Sequence, residues 1–578
     1  MSKSETTTGN ATAQARIVAL EAALASERGA SIAALAIERE RVANLTAERD
    51  VLRASHERLR LELELLKRRI FFAKAERVDS AQLELEFATK LAELDRLAGH
   101  PIIEADARDA EGNSAAPPSQ KKKPTGRRDF RNASIEEERI EFVDPLFEEQ
   151  VTQGKAVRIG FEESCKLGWK RGGLRRIISA RVKYRVLDAQ GESTIETTPI
   201  ARETFPRSLA APSLLAHVIV EKYCDGLPLH RQENRFARDG VPIDRGTLCR
   251  WVEDAGATAG ATVIEAMRQE ALRTSFCIAT DATGFLVQPV RSGQTARQAC
   301  RRGHYFVQIA DRDHVFFEYT AKETSAAVKA MFAGYTGYVQ ADAKSVYDAL
   351  YREPEREDDS DDDAPLERPP QEVGCWAHAR RKFWEAAIAK DVEGREGLAR
   401  IGRVFALDES WRGNPSPEIT RLRNAHMRPH LTAFFEWAEA RYEVVRHQRG
   451  LLRSALGYAI RQKDALLRPL EDGRIPLDNN RSERELRRIA VGRKAWLFVG
   501  SDDHAVSAGH LFSLIASARL HDLDPEAYVR DVFRVLAAWP RDRYLELAPK
   551  YWLATRAKLD ATELANDLGP LTVPPPTP

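Results

Sequence analysis

Two short segments decide the fold: FCIATD at residues 276–281 and GYVQAD at residues 337–342. In each segment a run of mostly apolar residues ends on an aspartate, Asp281 in the first and Asp342 in the second. Apolar runs of about four to eight residues with turn or polar residues at their ends are typical of buried strands. We therefore predict two strands that each end at an aspartate.

The segments around these two strands predict a mixed α/β sheet. Residues 305–309 and 315–319 are apolar strand candidates separated by a turn, residues 326–333 favour a helix, and residues 372–377 are a fifth short strand candidate. The predicted order is three strands, a helix, a strand, a helix and a strand. Residues 353–363 contain eight acidic residues and one arginine, which indicates a surface loop.

A third carboxylate, Glu483, lies in a predicted helix over residues 477–490. Glu483 and Glu485 stand among the six basic residues between Arg481 and Lys494. Carboxylates that converge at one end of a sheet repel one another unless a cation lies between them, and hard oxygen ligands suit Mg²⁺ or Mn²⁺. Two such ions about 4 Å apart activate an attacking water or 3′-hydroxyl and stabilise the leaving oxygen of a phosphodiester. The alternative is solvated acids on a salt-bridged helix.

Residues 14–98 are rich in Ala, Leu, Glu and Arg and contain no proline. Apolar residues repeat there every seven positions, as the seam of a coiled coil requires. The d positions are Leu45, Leu52, Leu59 and Leu66, and the a positions are Leu35, Val42, Leu63 and Ile70. The pattern predicts a coiled coil through which the protein self-associates. The alternative is a helix that packs on its own protein.

Three segments separate these heptads from the first aspartate. Residues 99–138 form a basic linker, and residues 139–206 form a small β-rich module whose segment 155–185 has a net charge of +8. Residues 207–258 favour helices joined by a turn, with Asp244 as the cap of the last helix. This arrangement is compatible with a helix-turn-helix that contacts DNA, although many helical hairpins share it. The candidate contacts are Arg245, Thr247 and Arg250.

Composition sets the class of protein. The chain has 578 residues, with 88 Lys and Arg against 87 Asp and Glu, so its net charge is +1. At about 150 residues per domain, this length predicts about three or four domains. A neutral total does not exclude a nucleic-acid partner, because DNA responds to the local field and not to the sum. Without a long apolar run or a signal peptide, we expect a cytoplasmic protein with no membrane partner.

Five longer motifs resemble those of the insertion-sequence-66-type transposases. They are LPLHRQE (227–233), GCWAHARRKF (374–383), DNNRSE (478–483), GRKAWLF (492–498) and HDLDP (521–525). The resemblance runs from about residue 40 to residue 540. It implies, in order, a leucine-zipper helix, a zinc-finger-like module, a catalytic domain and a C-terminal element.

The resemblance also implies an RNase H-like catalytic domain over residues 272–500, which cuts and joins DNA with an Asp-Asp-Glu triad. Matched by motif, the triad is Asp281, Asp342 and Glu483, and these residues are also the implied ligands of Mg²⁺ or Mn²⁺. The gap between the second and third acids is too long for the bare fold. The helical stretch 384–472 is therefore interpreted as an insertion.

The remaining implications concern the C-terminus and the partners. Residues 501–555 correspond to the C-terminal helical element, and residues 556–578 are a tail. The implied partners are double-stranded DNA, at the terminal inverted repeats and at the target, further copies of the chain, and accessory proteins encoded by the same element. The basic residues expected to contact DNA around the triad are His378, Arg380, Arg381, Arg481, Arg484, Arg487, Arg488, Arg493 and Lys494.

Two departures from the family's motifs keep alternatives open. The family usually has Asp-Glu-Thr at the first acid, whereas Ala282 follows Asp281 here. The family's zinc module usually has Cys-x-x-Cys pairs, whereas Cys165 stands alone in this module, so we expect no structural zinc. A catalytically impaired DNA-binding descendant that occupies or regulates element ends is therefore the second hypothesis. A coiled-coil structural protein with an unrelated α/β domain is the third.

Overall fold

The computed structural model describes residues 135–170, 173–187, 192–289, 299–352, 368–389 and 391–576, together with scattered positions between 16 and 46. The chain divides into two compact units, Met1–Gln120 and Lys121–Pro578. No helix in these described ranges is long and apolar enough to cross a membrane.

The described positions of the first unit are helical. Val42 and Leu45, an a and a d position of the predicted seam, are 56% and 57% exposed. Exposed apolar side chains at these spacings suit a helix that packs against a partner helix. The other heptad positions lie outside the described residues: Leu35, Leu52, Leu59, Leu63, Leu66 and Ile70.

The second unit begins with a small sheet, as the β-rich composition predicts. Its strands are β1 (Glu136–Phe142), β2 (Ala156–Lys170), β3 (Gly173–Leu187) and β4 (Ser193–Thr197), and helix α1 (Pro145–Thr152) follows β1. Strand β3 lies at the centre, antiparallel to β2 and β4 and parallel to β1. Strand β1 starts inside the segment predicted as a linker. Cys165, the lone cysteine of this module, lies on β2. Residues 194–197 contain no cysteine and belong to β4.

Ion pairs within this sheet offset the basic residues counted in its sequence. Arg175 pairs with Glu138 of β1 and, at 3.1 Å, with Asp567 near the C-terminus. Arg181 pairs with Glu162 of β2 at 2.7 Å. The local charge of +8 counted along the segment therefore does not describe this surface, because acidic partners come from outside the segment as well as from within it.

Helices connect this small sheet to the main one. They are α2 (Pro212–Tyr223), α3 (Leu229–Arg238), α4 (Arg245–Ala255), the π-helical turn Gly256–Gly260 and α5 (Ala261–Thr274). The prediction that Asp244 caps α4 is confirmed, since its carboxylate accepts the Gly246 N–H at 2.8 Å. Gly256 allows a close approach, because a Cβ there would lie 2.3 Å from the Ser507 carbonyl oxygen.

The main sheet has the predicted order of elements. These are β5 (Cys277–Val287), β6 (Arg301–Ala310), β7 (His314–Thr320), α6 (Ser325–Met331), β8 (Tyr338–Gln340), α7 (Ser345–Asp348) and β9 (Gln371–Val373). The spatial order is β7-β6-β5-β8-β9. Strands β5, β6 and β7 are antiparallel, whereas β8 and β9 run parallel to β5.

A large helical insertion follows β9, as predicted. It contains α8 (Trp376–Ile388), α9 (Val392–Ser410), α10 (Ser416–Leu422), α11 (Arg428–Val445), α12 (Leu451–Arg461) and α13 (Lys463–Leu467). The insertion has its own hydrophobic core, in which the rings of Trp376 and Phe383 both pack against Phe434. Arg423 is buried and donates hydrogen bonds to the carbonyl oxygens of Pro469 and Ile475, which ties this core to the segment that follows it.

The remaining helices return to the main sheet. They are α14 (Asn480–Trp496), α15 (Asp502–Leu520), α16 (Pro525–Val535), α17 (Pro549–Arg556) and α18 (Ala561–Ala565). Helix α15 covers edge strand β7: Ser517 Oγ accepts the Val315 N–H at 2.9 Å, and Ser513 Oγ accepts the Phe317 N–H at 2.7 Å. The edge of the sheet is thus closed by side chains of a helix instead of by another strand.

Candidate active site

Asp281 lies in the middle of a strand, so the prediction that it ends one is wrong. Strand β5 continues to Val287, and Asp281 is opposite Val307 of β6. The reason is the length of β8, which pairs with β5 only as far as Ala279. Beyond that point β5 keeps β6 on one side and loses its strand neighbour on the other. Asp281 therefore lies beside an opening at the end of β8.

Asp342 follows β8 directly, as predicted, and lies at the same opening. Lys344 is near it, with Nζ 3.6 Å from Asp342 Oδ2. The other oxygen of Asp342, Oδ1, is buried and has no hydrogen-bond partner among the described residues. A buried carboxylate oxygen without a partner is energetically costly, so this atom is available to a ligand.

The two aspartates influence each other electrostatically. The pKa of Asp281 is raised to about 6, mainly by burial and further by the negative charge of Asp342, against the lowering effect of a hydrogen bond from the Ala282 N–H. Strongly raised carboxyl pKa values are common at functional sites, where burial and like charges are combined. The structure therefore brings the first two predicted acids together.

The third predicted acid, Glu483, is in contact with a histidine near the two aspartates. Glu483 lies in the first turn of α14, and its Oε1 is 3.6 Å from His378 Nε2 of helix α8. The charge of His378 in turn lowers the pKa of Asp281. His378 thus interacts with both Glu483 and Asp281, and the Glu483 side chain is 43% exposed.

Sequence analysis missed Asn479, which is nearly fully buried beside the triad. It stands immediately before α14, where an asparagine normally caps the helix with its side-chain oxygen. Instead, its side-chain amide donates to the Thr280 carbonyl oxygen at 2.7 Å, and its backbone N–H donates to Cys375 Sγ at 3.3 Å. The sequence signal for this residue was its place inside the DNNRSE motif, directly before the helix that carries Glu483.

Gln340 is a second buried residue that sequence analysis did not single out. Its side-chain amide donates to the carbonyl oxygens of Gly374 at 3.3 Å and Pro476 at 2.9 Å. These bonds join the end of β8 to the segments that precede α8 and α14. One buried polar side chain therefore links the strand that precedes Asp342 to the segments that lead into the helices of His378 and Glu483.

The basic residues of α14 divide into exposed and engaged groups. Arg488 pairs with Glu485 at 2.9 Å, and Arg493 donates to the carbonyl oxygen of Gly284 and to Thr283 Oγ. Both arginines therefore have roles within the fold. The candidates that remain exposed on this helix are Arg481, Arg484, Arg487 and Lys494.

The other DNA-contact candidates lie on two separate helices. Arg245, Thr247 and Arg250 occupy the first turns of α4, where Arg250 donates to Thr247 Oγ at 3.2 Å. On α8, Arg380 lies over the Phe405 ring at 5.6 Å, and Arg381 is 3.8 Å from Glu385. Of the α8 candidates, His378 alone joins the acidic site.

The arrangement offers oxygen donors to a cation but is not a complete metal-binding cluster. Among the residues that the structure describes, no group of three or more His, Cys, Asp or Glu side chains is placed to hold a metal ion. Asp281 and Asp342 provide partly buried carboxylates, whereas Glu483 is in contact with His378 and is more exposed.

Comparison with known proteins decides the family. The profile of the Transposase IS66 family matches residues 207–507, which is more than half of the chain. The chain belongs to the IS66 transposase family. Two further profiles match on either side: the IS66 C-terminal element at residues 513–550, and the Transposase C of IS166 homeodomain at residues 58–140. The family match spans the main sheet, the helical insertion and α14.

Full-length relatives of this IS66 transposase family member occur in Sinorhizobium fredii (strain NBRC 101917 / NGR234). Uncharacterized protein y4qI is 26% identical over 536 residues, which cover 91% of this chain and 95% of the relative. Uncharacterized protein y4hP is 25% identical over 516 residues, which cover 86% of this chain and 88% of the relative. The similarity thus extends over nearly the whole chain.

Proposed function

We propose that the protein is a DNA transposase that binds the ends of an insertion element and catalyses metal-dependent strand cleavage and strand transfer. The observation that carries this proposal is the partly buried pair Asp281 and Asp342 at the end of β8, where Asp342 Oδ1 is buried without a hydrogen-bond partner among the described residues. Family membership supplies the reaction class. The strand order β7-β6-β5-β8-β9 supports an RNase H-like core as its framework.

The residues of the pair suit a hard divalent cation, Mg²⁺ or Mn²⁺. Asp342 offers a buried oxygen that has no partner in the described part of the chain, and a cation would offset the repulsion between the two carboxylates. We propose Asp281 and Asp342 as its ligands, with Glu483 as the third. When bound, such an ion activates the attacking oxygen and stabilises the leaving oxygen of a phosphodiester.

The protein's own groups then orient the acids and the DNA. His378 holds the Glu483 carboxylate toward the aspartates, and Asn479 fixes the start of α14 against β5. The exposed basic residues of α14 provide phosphate contacts, which position a duplex without reading its sequence. The first turns of α4 offer a second group of contacts through Arg245 and Arg250.

The proposed partners follow from the same surfaces. Double-stranded DNA at element ends and at target sites is the substrate, and the bacterial cytosol is where that substrate is found. The heptads of the first unit favour self-association, since Val42 and Leu45 are exposed on a helix. Accessory proteins from the same element remain compatible with this assignment.

A catalytically impaired descendant is the second hypothesis, and Ala282 is its motivation. Side chains alternate between the two faces of a strand, so Ala282 points away from the face that carries Asp281. Its partly buried side chain packs against the main hydrophobic core. A glutamate at position 282 would therefore lie on the opposite face of the strand from Asp281. Its replacement by Ala282 leaves the oxygen atoms on the Asp281 face unchanged, which favours an active enzyme.

Cleavage of DNA that carries the element's terminal repeats tests the proposal. Wild-type protein with Mg²⁺ is expected to nick this DNA, whereas Asp281→Ala, Asp342→Ala and Glu483→Ala each abolish nicking and retain binding. Glu443→Ala is the control, because this exposed acid on the insertion pairs with Arg446 of the same helical segment. Full activity of all three variants would refute the site. Specific binding without any cleavage by the wild type would support the impaired descendant.

A further inference from the structure

A second cleft, of about 620 Å³, lies apart from the acidic site. It is bounded by helices α2, α4 and α15 and by residues 495–500, which comprise the end of α14 and the segment after it. Its volume falls within the range of about 300–1,000 Å³ that is typical of small-molecule sites. The walls contain several aromatic rings, which belong to Tyr223, Tyr305, Trp496, Phe498 and Phe512.

Two of these rings are accessible from outside. Phe498 is 43% exposed and Trp496 is partly buried, whereas the other three belong to the hydrophobic core. Trp496 is held in place by an edge-on contact with Phe285 of β5, at a centroid distance of 6.2 Å. The cleft therefore has aromatic walls, with the exposed ring of Phe498 and the partly buried ring of Trp496 at its entrance.

The backbone at this entrance is unusual. Leu497 has a φ of 64° and a ψ of −49°, the rare and strained geometry of a classic γ-turn, in which the Phe498 N–H donates to the Trp496 carbonyl oxygen at 2.8 Å. The segment is nevertheless fixed to the end of β5, since the Val499 N–H donates to the Leu286 carbonyl at 2.9 Å and the Gln288 N–H donates to the Val499 carbonyl at 2.8 Å. Strain that is held by its surroundings is often found at binding sites.

Two basic side chains line the same cleft. Burial lowers the pKa of Lys222 to about 8, and no carboxylate in the described part of the chain forms an ion pair with it. The acidic residue of the lining, Glu253, is already paired with His504 at 3.0 Å. Arg245 lies at the wall in the first turn of α4. The cleft thus combines aromatic rings with two cations that have no anionic side-chain partner among the residues described.

We propose that this cleft binds an unpaired nucleotide of the DNA, with the base against Trp496 and Phe498 and the phosphate at Lys222 and Arg245. Aromatic rings stack on any base, and a nearby positive charge holds the backbone. This inference rests on the proposed function, because it assumes that DNA is the substrate. An apolar protein segment would not satisfy Lys222, which makes it the less suitable occupant.

The separation of Trp496 from Glu483 along α14 indicates how far the bound nucleotide would lie from the reacting phosphate. Trp496 is thirteen residues after Glu483 on the same helix, which is about 20 Å at a rise of about 1.5 Å per residue. A strand that follows α14 at about 3.4 Å per nucleotide would place the base about six nucleotides from the phosphate that reacts. The unpaired position is therefore inside the DNA end and not at the cut itself.

Fluorescence anisotropy with two labelled duplexes tests this site. The probes are identical except that one carries a single unpaired thymine six nucleotides from its end. We expect the full-length wild type to prefer the unpaired probe, and Phe498→Ala to weaken binding of that probe roughly fivefold to a hundredfold while leaving the paired probe unchanged. Phe498→Trp should keep the preference. Trp384→Ala is the control, since Trp384 is an exposed aromatic residue on α8.

The outcomes separate this inference from the proposed function. Equal affinity of the wild type for both probes would refute the proposal that the cleft binds an unpaired nucleotide. It would not affect the result of the cleavage assay. Asp281→Ala, assayed without divalent cation, should retain the preference even though it does not cleave. If Phe498→Ala changes the mass of the protein in sedimentation but not its choice of probe, the cleft is a protein interface and the proposal is wrong. Lys222→Met should weaken binding of the probe with the unpaired thymine and leave binding of the paired probe unchanged.

Discussion

Asn479 donates a 2.7 Å hydrogen bond from its side-chain amide to the carbonyl oxygen of Thr280, the residue that precedes Asp281. Asn479 also precedes helix α14, which carries Glu483 in its first turn. Because β8 ends at Gln340, no strand pairs with this edge of β5 at Thr280. One buried side chain therefore replaces a strand neighbour and joins the first acid to the third.

Replacement of Asn479 should impair cleavage more than DNA binding. Asn479→Ala leaves the buried Thr280 carbonyl without a donor, which is expected to cost about 1–3 kcal/mol in the free energy of unfolding. It also frees the start of α14, so Glu483 loses its position. Urea unfolding and cleavage rates measure both effects. Asn480→Ala is the matched control, because Asn480 is exposed and bonds only locally to Asp478; an equal loss in both variants would contradict this role.

Exposed arginines of α14 should contribute to DNA affinity through phosphate contacts. Arg484→Ala and Arg487→Ala are each expected to weaken binding to all duplexes alike and to reduce the slope of log affinity against log salt by about 1. Arg446→Ala serves for comparison, since Arg446 is half exposed and pairs with Glu443 on the insertion. Binding titrations at several salt concentrations test this expectation. Unchanged slopes for both α14 variants would place the DNA elsewhere.

The stability of the fold should fall in mild acid because of His314. Burial lowers the pKa of His314, although Glu270, 2.7 Å away, acts to raise it. The unfolded chain therefore takes up a proton at about pH 6.5, whereas the folded chain does not, so stability is lost as the pH falls below about 6.5. The surrounding charges are Lys550 and Asp313.

Glu270 adds to this trend at lower pH. Burial alone would raise the pKa of its carboxyl, but hydrogen bonds from Tyr551 and His314 bring it below its ordinary value. Its contribution to stability is present above the pKa of the unfolded chain and is lost as the pH falls further.

Urea unfolding between pH 7.5 and 5, measured at intervals of about 0.5 pH units, tests the role of His314. The free energy of unfolding should decline less steeply with falling pH in His314→Gln than in the wild type. The exposed His447→Gln should match the wild type, and identical slopes for all three would refute this account.

The serines that cover β7 should matter for stability. Ser513→Ala and Ser517→Ala remove the acceptors of the Phe317 and Val315 N–H groups, and each is expected to cost about 1–3 kcal/mol in the free energy of unfolding. Ser454→Ala, at an exposed position of the insertion, should cost far less. Chemical denaturation provides the comparison. Equal stability of all three variants would mean that water replaces the serine hydroxyls.

Local sequence patterns predicted the elements of the catalytic region well. The strands that carry Asp281 and precede Asp342, and their order along the chain, follow from apolar runs in the sequence. These features depend on nearby residues, so periodicity and composition are sufficient to detect them. The capping role of Asp244 is a similar local signal.

Contacts between residues that are far apart in the sequence could not be predicted from such local patterns. Asp281 is in mid-strand because β8 is only three residues long, and strand length depends on tertiary pairing. The role of Asn479 requires β5 to pass beside the start of α14. The charge of the small sheet is offset in part by Asp567, which lies 392 residues from Arg175. Each of these contacts becomes visible only once the chain is folded.

The ligand identity of Asp281 is tested most directly by exchange of its oxygen for sulfur. A thiolate binds Mg²⁺ poorly and accepts softer ions such as Mn²⁺ more readily. We predict that Asp281→Cys loses cleavage of terminal DNA in Mg²⁺ and regains a measurable rate in Mn²⁺, while Asp281→Ala stays inactive in both. Cleavage by Asp281→Cys in Mg²⁺ at the wild-type rate, or cleavage by the wild type without any divalent cation, would contradict the proposed active site.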